Sequence, residues 1–161
     1  MKKDMRLVEC VVNDEEVSLY VDVRESLLDM LRNRLGLTSV KRGCEVGECG
    51  ACTVILDGET IDSCIYLAVW ANGKRIRTVE GLEKDGKLSR IQEAFIQEGA
   101  VQCGFCTPGF LLSATVLLER GESLSREAIR RHMAGNLCRC TGYENIVNAV
   151  EKVNKENLDK K

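Results

Sequence analysis

Eight of the nine cysteines in this 161-residue chain fall into two quartets of different spacing. The first is Cys44, Cys49 and Cys52, closed by Cys64; the second is Cys103 and Cys106, closed by Cys138 and Cys140. Thiolates are soft, charged and polarisable ligands, and four of them complete the tetrahedral demand of the two irons in a 2Fe–2S rhomb. The C-x4-C-x2-C run of the first quartet is a spacing used to hold such a cluster. Gly43, Gly47 and Gly50 interleave with it. Glycine tolerates positive φ and lets backbone N–H groups turn inward as a nest for the cluster's negative charge. A Rieske centre would require two histidines. The chain has only His132, in a helical stretch beside Arg130 and Arg131, where it reads as a solvated surface residue. The second quartet, C-x2-C with C-x-C, leaves zinc open beside iron, because zinc also takes four-cysteine sites. Two features favour iron there. A redox centre gains from a neighbour that can hand it electrons, and a helix N-terminus near Cys106 suits an anionic group.

Composition narrows the setting. A formal net charge of -2, with the two signs interspersed, gives no signal for nucleic acid or for an acidic substrate. The start Met1-Lys2-Lys3-Asp4 leads into mixed polar sequence with no apolar h-region, so no ordinary signal peptide is expected. No apolar run is long enough for a membrane span. The expected location is cytoplasmic, and in a reducing compartment clustered cysteines read as metal ligands before they read as disulfides. Cys10 is left over. It sits in the apolar alternation Leu7 to Val12 and reads as a buried structural thiol, since free cysteine packs as a small hydrophobe.

The elements that must position these residues change character halfway. Residues 6–12 and 17–23, separated by Asn13 to Glu16, suggest a hairpin. Ser26 with Asp29 three residues later opens a helix carrying Leu27, Leu28, Leu31 and Leu35, and Gly36 ends it. Thr53 to Leu56 reads as a strand, Asp57-Gly58 as a turn, Thr60-Ile61 as the return, and Ile76 to Val79 as one more strand. From there the period is helical. Leu88, Ile91 and Phe95 precede Gly99; Pro108 suits the first turn of a helix running through Leu118 to Gly121. Ser125 caps a helix containing Ile129, with Gly135 beyond its end, and Ile146, Ala149, Val150 and Val153 mark a last one. The expected fold class is α+β, with a unit over 1–80, a helical unit over 81–161, and 80–87 as the connection. Units of about 80 residues have marginal cores, which a metal staple helps.

Three stretches together resemble the iron–sulfur subunit of the molybdenum hydroxylases, the xanthine dehydrogenase family. They are Gly43-Cys44 through Gly47-Glu48-Cys49-Gly50-Ala51-Cys52-Thr53, then Gln102-Cys103-Gly104-Phe105-Cys106-Thr107-Pro108-Gly109, then Gly135-Asn136-Leu137-Cys138-Arg139-Cys140-Thr141-Gly142-Tyr143. The likeness runs from about residue 6 to residue 153. In stretches such as Ile61 to Ala68 and Gly73 to Thr78 it is most similar to the bacterial xanthine dehydrogenase, or purine hydroxylase, type.

The resemblance implies a β-grasp ferredoxin-like domain holding one 2Fe–2S cluster and an all-α four-helix-bundle domain holding the other. It implies a molybdopterin cofactor and FAD on partner subunits, a molybdenum-binding large subunit and an FAD-binding subunit, assembled as heterotrimers, with a dimer of heterotrimers as the larger form. In the family the helical-domain cluster lies near the pterin and the ferredoxin-like cluster near the flavin. Gln102 matches a glutamine that hydrogen-bonds the pterin, and Cys140 matches the ligand whose sulfur contacts the pterin amino group; a donor to its own cluster is the other reading of Gln102. The chain itself shows no G-x-G-x-x-G loop and no nameable catalytic base, so substrate turnover is expected on the partners. Related hydroxylases of nicotinate, carbon monoxide, aldehydes or N-heterocycles, a free two-cluster ferredoxin, and a zinc-stapled module are the competing readings.

Overall fold

Asn13 and Asp14 both adopt left-handed backbone, with φ of 51° and 68°, the pair of positive angles that a two-residue turn needs to match the twist of its strands. They join β1 (Met5–Val12) to β2 (Glu15–Asp22), which pair antiparallel with Val12 opposite Glu15. The computed structural model describes residues 4–159; Met1, Lys2 and Lys3, part of the start read above, lie outside them. β3 (Thr53–Leu56) and β4 (Glu59–Asp62) form a second hairpin, and β5 (Arg75–Arg77) lies parallel to β1 and antiparallel to β3. The result is one mixed sheet of order β2-β1-β5-β3-β4. β5 begins one residue earlier than the periodicity suggests and ends at Arg77, because Val79 to Leu82 close into a 3-10 turn.

The segment after β2 departs from expectation. Ser26 does cap it, accepting a hydrogen bond from the Asp29 amide at 3.1 Å, but α1 is a single turn (Leu27–Asp29) and Met30–Arg34 continue as a π-helix. Leu35 N–H bonds to the Met30 carbonyl at 3.1 Å, five residues back. Apolar spacing cannot distinguish the two windings over so short a run. Leu27, Leu28, Met30 and Leu31 are all buried against the sheet with Val8, Val21, Val54 and Ile76.

Cys10 belongs to that same core, 6% exposed between the buried Val8 and Val12, and burial pushes its thiol pKa up. Its place in the sequence leaves it outside both cysteine quartets. Cys10→Ser is therefore expected to leave iron content unchanged while lowering the melting temperature, because a hydroxyl buried there lacks the thiol's apolar match. Loss of iron from that variant would overturn this assignment.

Among the described residues four helices follow. α2 (Arg90–Gln97) opens at Ser89 with a reciprocal cap to Gln92. Leu88 falls before it and is exposed, so the helix starts later than the apolar spacing suggests. α3 (Thr107–Glu119) has Pro108 in its first turn and buries every residue from Gly109 to Leu118. A helix that is apolar all round must be central, and α3 packs on β3 as well as on α2, α4 (Arg126–Met133) and α5 (Glu144–Asp159). Its core gathers Phe95, Phe110, Leu112, Ile129, Ile146 and Val150, and reaches Ile55 of the sheet. The stretch between sheet and helices is fastened. Asn13 bonds Thr78 through both ends of its amide, and the Glu80 carboxylate accepts from the Ser39 amide at 3.1 Å and from the Ser39 and Thr78 hydroxyls at 2.5 Å. No helix among the described residues is long and apolar enough to cross a membrane.

Candidate iron–sulfur sites

The first three cysteines occupy the loop between the π-helix and β3, and Cys64 follows β4, so the β3–β4 hairpin carries Cys52 and Cys64 to one place. Within the loop Glu45 and Gly47 are left-handed, with φ of 60° and 75°, and the turn aims the amides of Val46 and Glu48 at the Cys44 sulfur, 3.5 and 3.3 Å away. Those two donors hold the Cys44 thiol down at about 7. Gly43 serves differently from its neighbours. Its φ is not positive, but a Cβ there would stand 2.7 Å from the Cys49 sulfur, so the requirement is space. Burial pushes Cys52, 2% exposed, up to about 12 beside Cys64.

The second quartet sits at helix ends. Cys106 is the residue before α3, and Cys138 and Cys140 lie in the loop from α4 to α5. The Cys138 sulfur accepts from the Cys140 and Thr141 amides, both at 3.4 Å, and from the Thr141 hydroxyl at 3.1 Å. Burial would raise this thiol, but the donors outweigh it and bring it down to about 7. Cys106 goes the other way, to about 12, through burial and the adjacent Cys138 thiol. Each quartet thus presents one sulfur nearly ready to ligate and one that gives up its proton only to a metal, so loading must release protons. Tyr143, at φ 69°, turns its hydroxyl back to accept the Cys138 amide at 2.9 Å and stacks edge-on to Phe110.

Within each quartet the thiols interact in pairs: Cys44 with Cys49, Cys52 with Cys64, Cys106 with Cys138, and Cys103 with Cys140 at 3.7 Å. Two irons bridged by sulfides need this arrangement, a pair of protein thiolates for each iron, and the donor set fits that group.

The quartets also differ in which edge they show. Cys103 and Cys140 are exposed, as is Gln102 beside them, whereas Cys106 and Cys138 are half-buried. The inner edge is joined to the first loop by a hydrogen bond from the Leu137 amide to the Cys49 carbonyl at 3.0 Å. His132 is not the solvated residue that its arginine neighbours suggest. It is half-buried with Nε2 3.1 Å from the Ser113 carbonyl, and desolvation lowers its pKa. Sequence reasoning missed Asn136, whose buried side chain lies between the loops. No local pattern reveals it, because its partners at Gly50 and Thr53 are 86 and 83 residues away.

Two family models match the chain: one described as a 2Fe-2S iron-sulfur cluster binding domain over residues 10–77, the other as a 2Fe-2S binding domain over residues 78–151. The chain is 55% identical over 145 residues to the xanthine dehydrogenase iron-sulfur-binding subunit of Escherichia coli O157:H7, covering 89% of this chain and 91% of that one. It is 52% identical over 143 residues to the nicotine 6-hydroxylase small subunit of Paenarthrobacter nicotinovorans, covering 89% and 86%. Among solved structures, quinoline 2-oxidoreductase from Pseudomonas putida 86 superposes with a TM-score of 0.92 at 43% identity, over 96% of this chain and 97% of that chain. Aldehyde oxidoreductase from Desulfovibrio gigas gives 0.91 at 43% identity, over 98% of this chain but 18% of a far longer one.

Proposed function

The chain belongs to the iron–sulfur subunits of the molybdenum hydroxylases, and from that premise we propose that it carries electrons between a molybdopterin centre and FAD held by partner subunits. When bound, a 2Fe–2S cluster accepts and releases one electron at a time. The observation that carries the reading is the pairing of the eight thiols, which supports Cys44, Cys49, Cys52 and Cys64 as one ligand set and Cys103, Cys106, Cys138 and Cys140 as the other. The chain's own work is to deprotonate and hold these sulfurs, to aim amides at Cys44 and Cys138, and to keep the two loops in contact.

In this proposal residues 1–80 form a β-grasp ferredoxin-like domain and residues 81–161 a four-helix-bundle domain. Gln102 and the Cys140 sulfur face the pterin, since they share the exposed edge with Cys103. That edge then receives electrons and the Cys44 to Cys64 loop passes them to the flavin side. The assembly is a heterotrimer with an FAD-binding and a molybdenum-binding subunit, doubled by a two-fold axis because closed symmetry is the common outcome, and it works in the cytoplasm. The substrate class is a purine such as xanthine, which the Escherichia coli relative favours. A second reading, a pyridine-type heterocycle, is favoured by the nicotine 6-hydroxylase relative.

The test is to purify the complex from native cells and measure metal, sulfide and substrate-driven reduction. Iron and acid-labile sulfide should each approach about four per chain, two for each cluster. Rapid-freeze sampling should show the Cys103 to Cys140 cluster reduced first, with xanthine outrunning nicotinate. About two irons and one zinc per chain, or a monodisperse species of the 17.9 kDa chain alone, would sink the proposal.

A further inference from the structure

We propose that Asn136 is the positioning residue that holds the two cysteine loops in electronic contact, an inference that rests on the two-cluster reading. The contact itself is made of backbone. Leu137, next to Cys138, donates its amide to the carbonyl of Cys49 at 3.0 Å. From the Cys138 sulfur to the Cys49 sulfur the path is therefore covalent except for that one hydrogen bond. Its length is fixed by whatever fixes Leu137 against Cys49, and neither residue's side chain does so: Leu137 is 54% exposed, and the Cys49 thiol would be taken up by the first cluster.

Asn136 occupies the required place. Only 4% exposed, it donates from Nδ2 to the Gly50 carbonyl at 3.0 Å and to the Thr53 hydroxyl at 3.2 Å, and its Oδ1 accepts from the Ser113 hydroxyl at 2.7 Å. One side chain thus ties its own loop to the residue after Cys49, to the start of β3 and to the middle of α3. The packing leaves no slack around it. A Cβ on Gly109 would stand 2.2 Å from the Gly50 carbonyl oxygen and 2.9 Å from Nδ2, and a Cβ on Gly50 would stand 2.3 Å from Nδ2. A side chain so buried, spending every polar atom on three different elements, is a clamp. What it clamps is the pair of residues flanking the bridge. In the step served, one electron moves, the donor cluster is oxidised and the acceptor reduced, and no bond or proton changes place.

The experiment uses the full chain loaded with both clusters, in wild type, Asn136→Ala and Gly109→Ala. Iron and sulfide are measured first, then the magnetic coupling between the two reduced clusters by low-temperature EPR, then the rate of electron equilibration between them after flash photoreduction. Asn136→Ala should keep about four irons yet slow equilibration by about tenfold, the change in contact population that follows when one buried hydrogen-bond partner is lost. Its EPR splitting should weaken. Gly109→Ala, whose Cβ would crowd both the Gly50 carbonyl and Asn136 Nδ2, should do the same. A merely structural residue would lower the melting temperature and leave splitting and rate alone. Four irons with wild-type splitting and rate in Asn136→Ala overturns the proposal; should that variant shed iron, the same result in Gly109→Ala does so. Fewer than four irons in wild type would fail the two-cluster reading instead, so the two failures are told apart.

Discussion

Cys49→Ser is expected to remove the first cluster and to unravel the loop from Gly43 to Cys52, halving iron content while the helical cluster stays. The loop has little of its own to hold it. Val46 is 65% exposed and Glu45 is left-handed, and its amides at Val46 and Glu48 point at a sulfur, so they are unavailable to the sheet. A serine oxygen is a harder and far less acidic ligand, so an iron held by Cys44 and Cys49 would lose half its protein ligands. Because structural metal binding in small domains is folding free energy, on the order of 10 kcal/mol in zinc-stapled peptides, the loss is expected to expose the loop to protease. Iron analysis, the EPR signal of the surviving cluster and limited proteolysis check it. Retention of both signals in Cys49→Ser would mean that another residue completes the first site.

The second large effect lies in the helical core. Phe110→Ala should destabilise the protein by about 3–5 kcal/mol, the usual loss for a buried aromatic truncated to alanine. Phe110 is fully buried, one turn into α3 from Cys106, and stacks edge-on against Tyr143 with ring centroids 6.1 Å apart. Tyr143 in turn accepts the Cys138 amide. The cavity would therefore open beneath the ring that orients a ligand, and the helical cluster should become the more labile of the two. Chemical denaturation followed by absorbance of the clusters measures both. A variant that loses less than about 1 kcal/mol would show that the core collapses around the missing ring.

How much of this was legible beforehand follows from the range of each interaction. The hairpin at Asn13-Asp14, the caps at Ser26 and Ser125, and Pro108 in the first turn of α3 are local events, and local residue types report them. The cysteine spacings are local within each run and pointed to a ligand class. The π-helical winding at Met30–Arg34 was not legible, because a five-residue apolar run fits either period. Nor was the burial of His132, since its charged neighbours describe only the outward side of α4 while Ser113 approaches from α3. The glycines show the limit most clearly. Gly47 and Gly50 take the positive φ that their type suggests, but Gly43 is needed for room beside a sulfur and Gly109 for a carbonyl from the other half of the chain. Close approach between distant segments leaves no mark on periodicity.

The bridge from Leu137 to Cys49 also bears on how such a subunit can diversify. An amide and a carbonyl are supplied by every residue except proline, which lacks the N–H. Position 137 can therefore change its outward-facing side chain, 54% exposed, to suit a different partner surface without altering the inner route. Internal conduction and external recognition are written in separate alphabets at one residue, main chain for the first and side chain for the second. A lineage of hydroxylases could trade large subunits, and with them substrates, while inheriting the same wire.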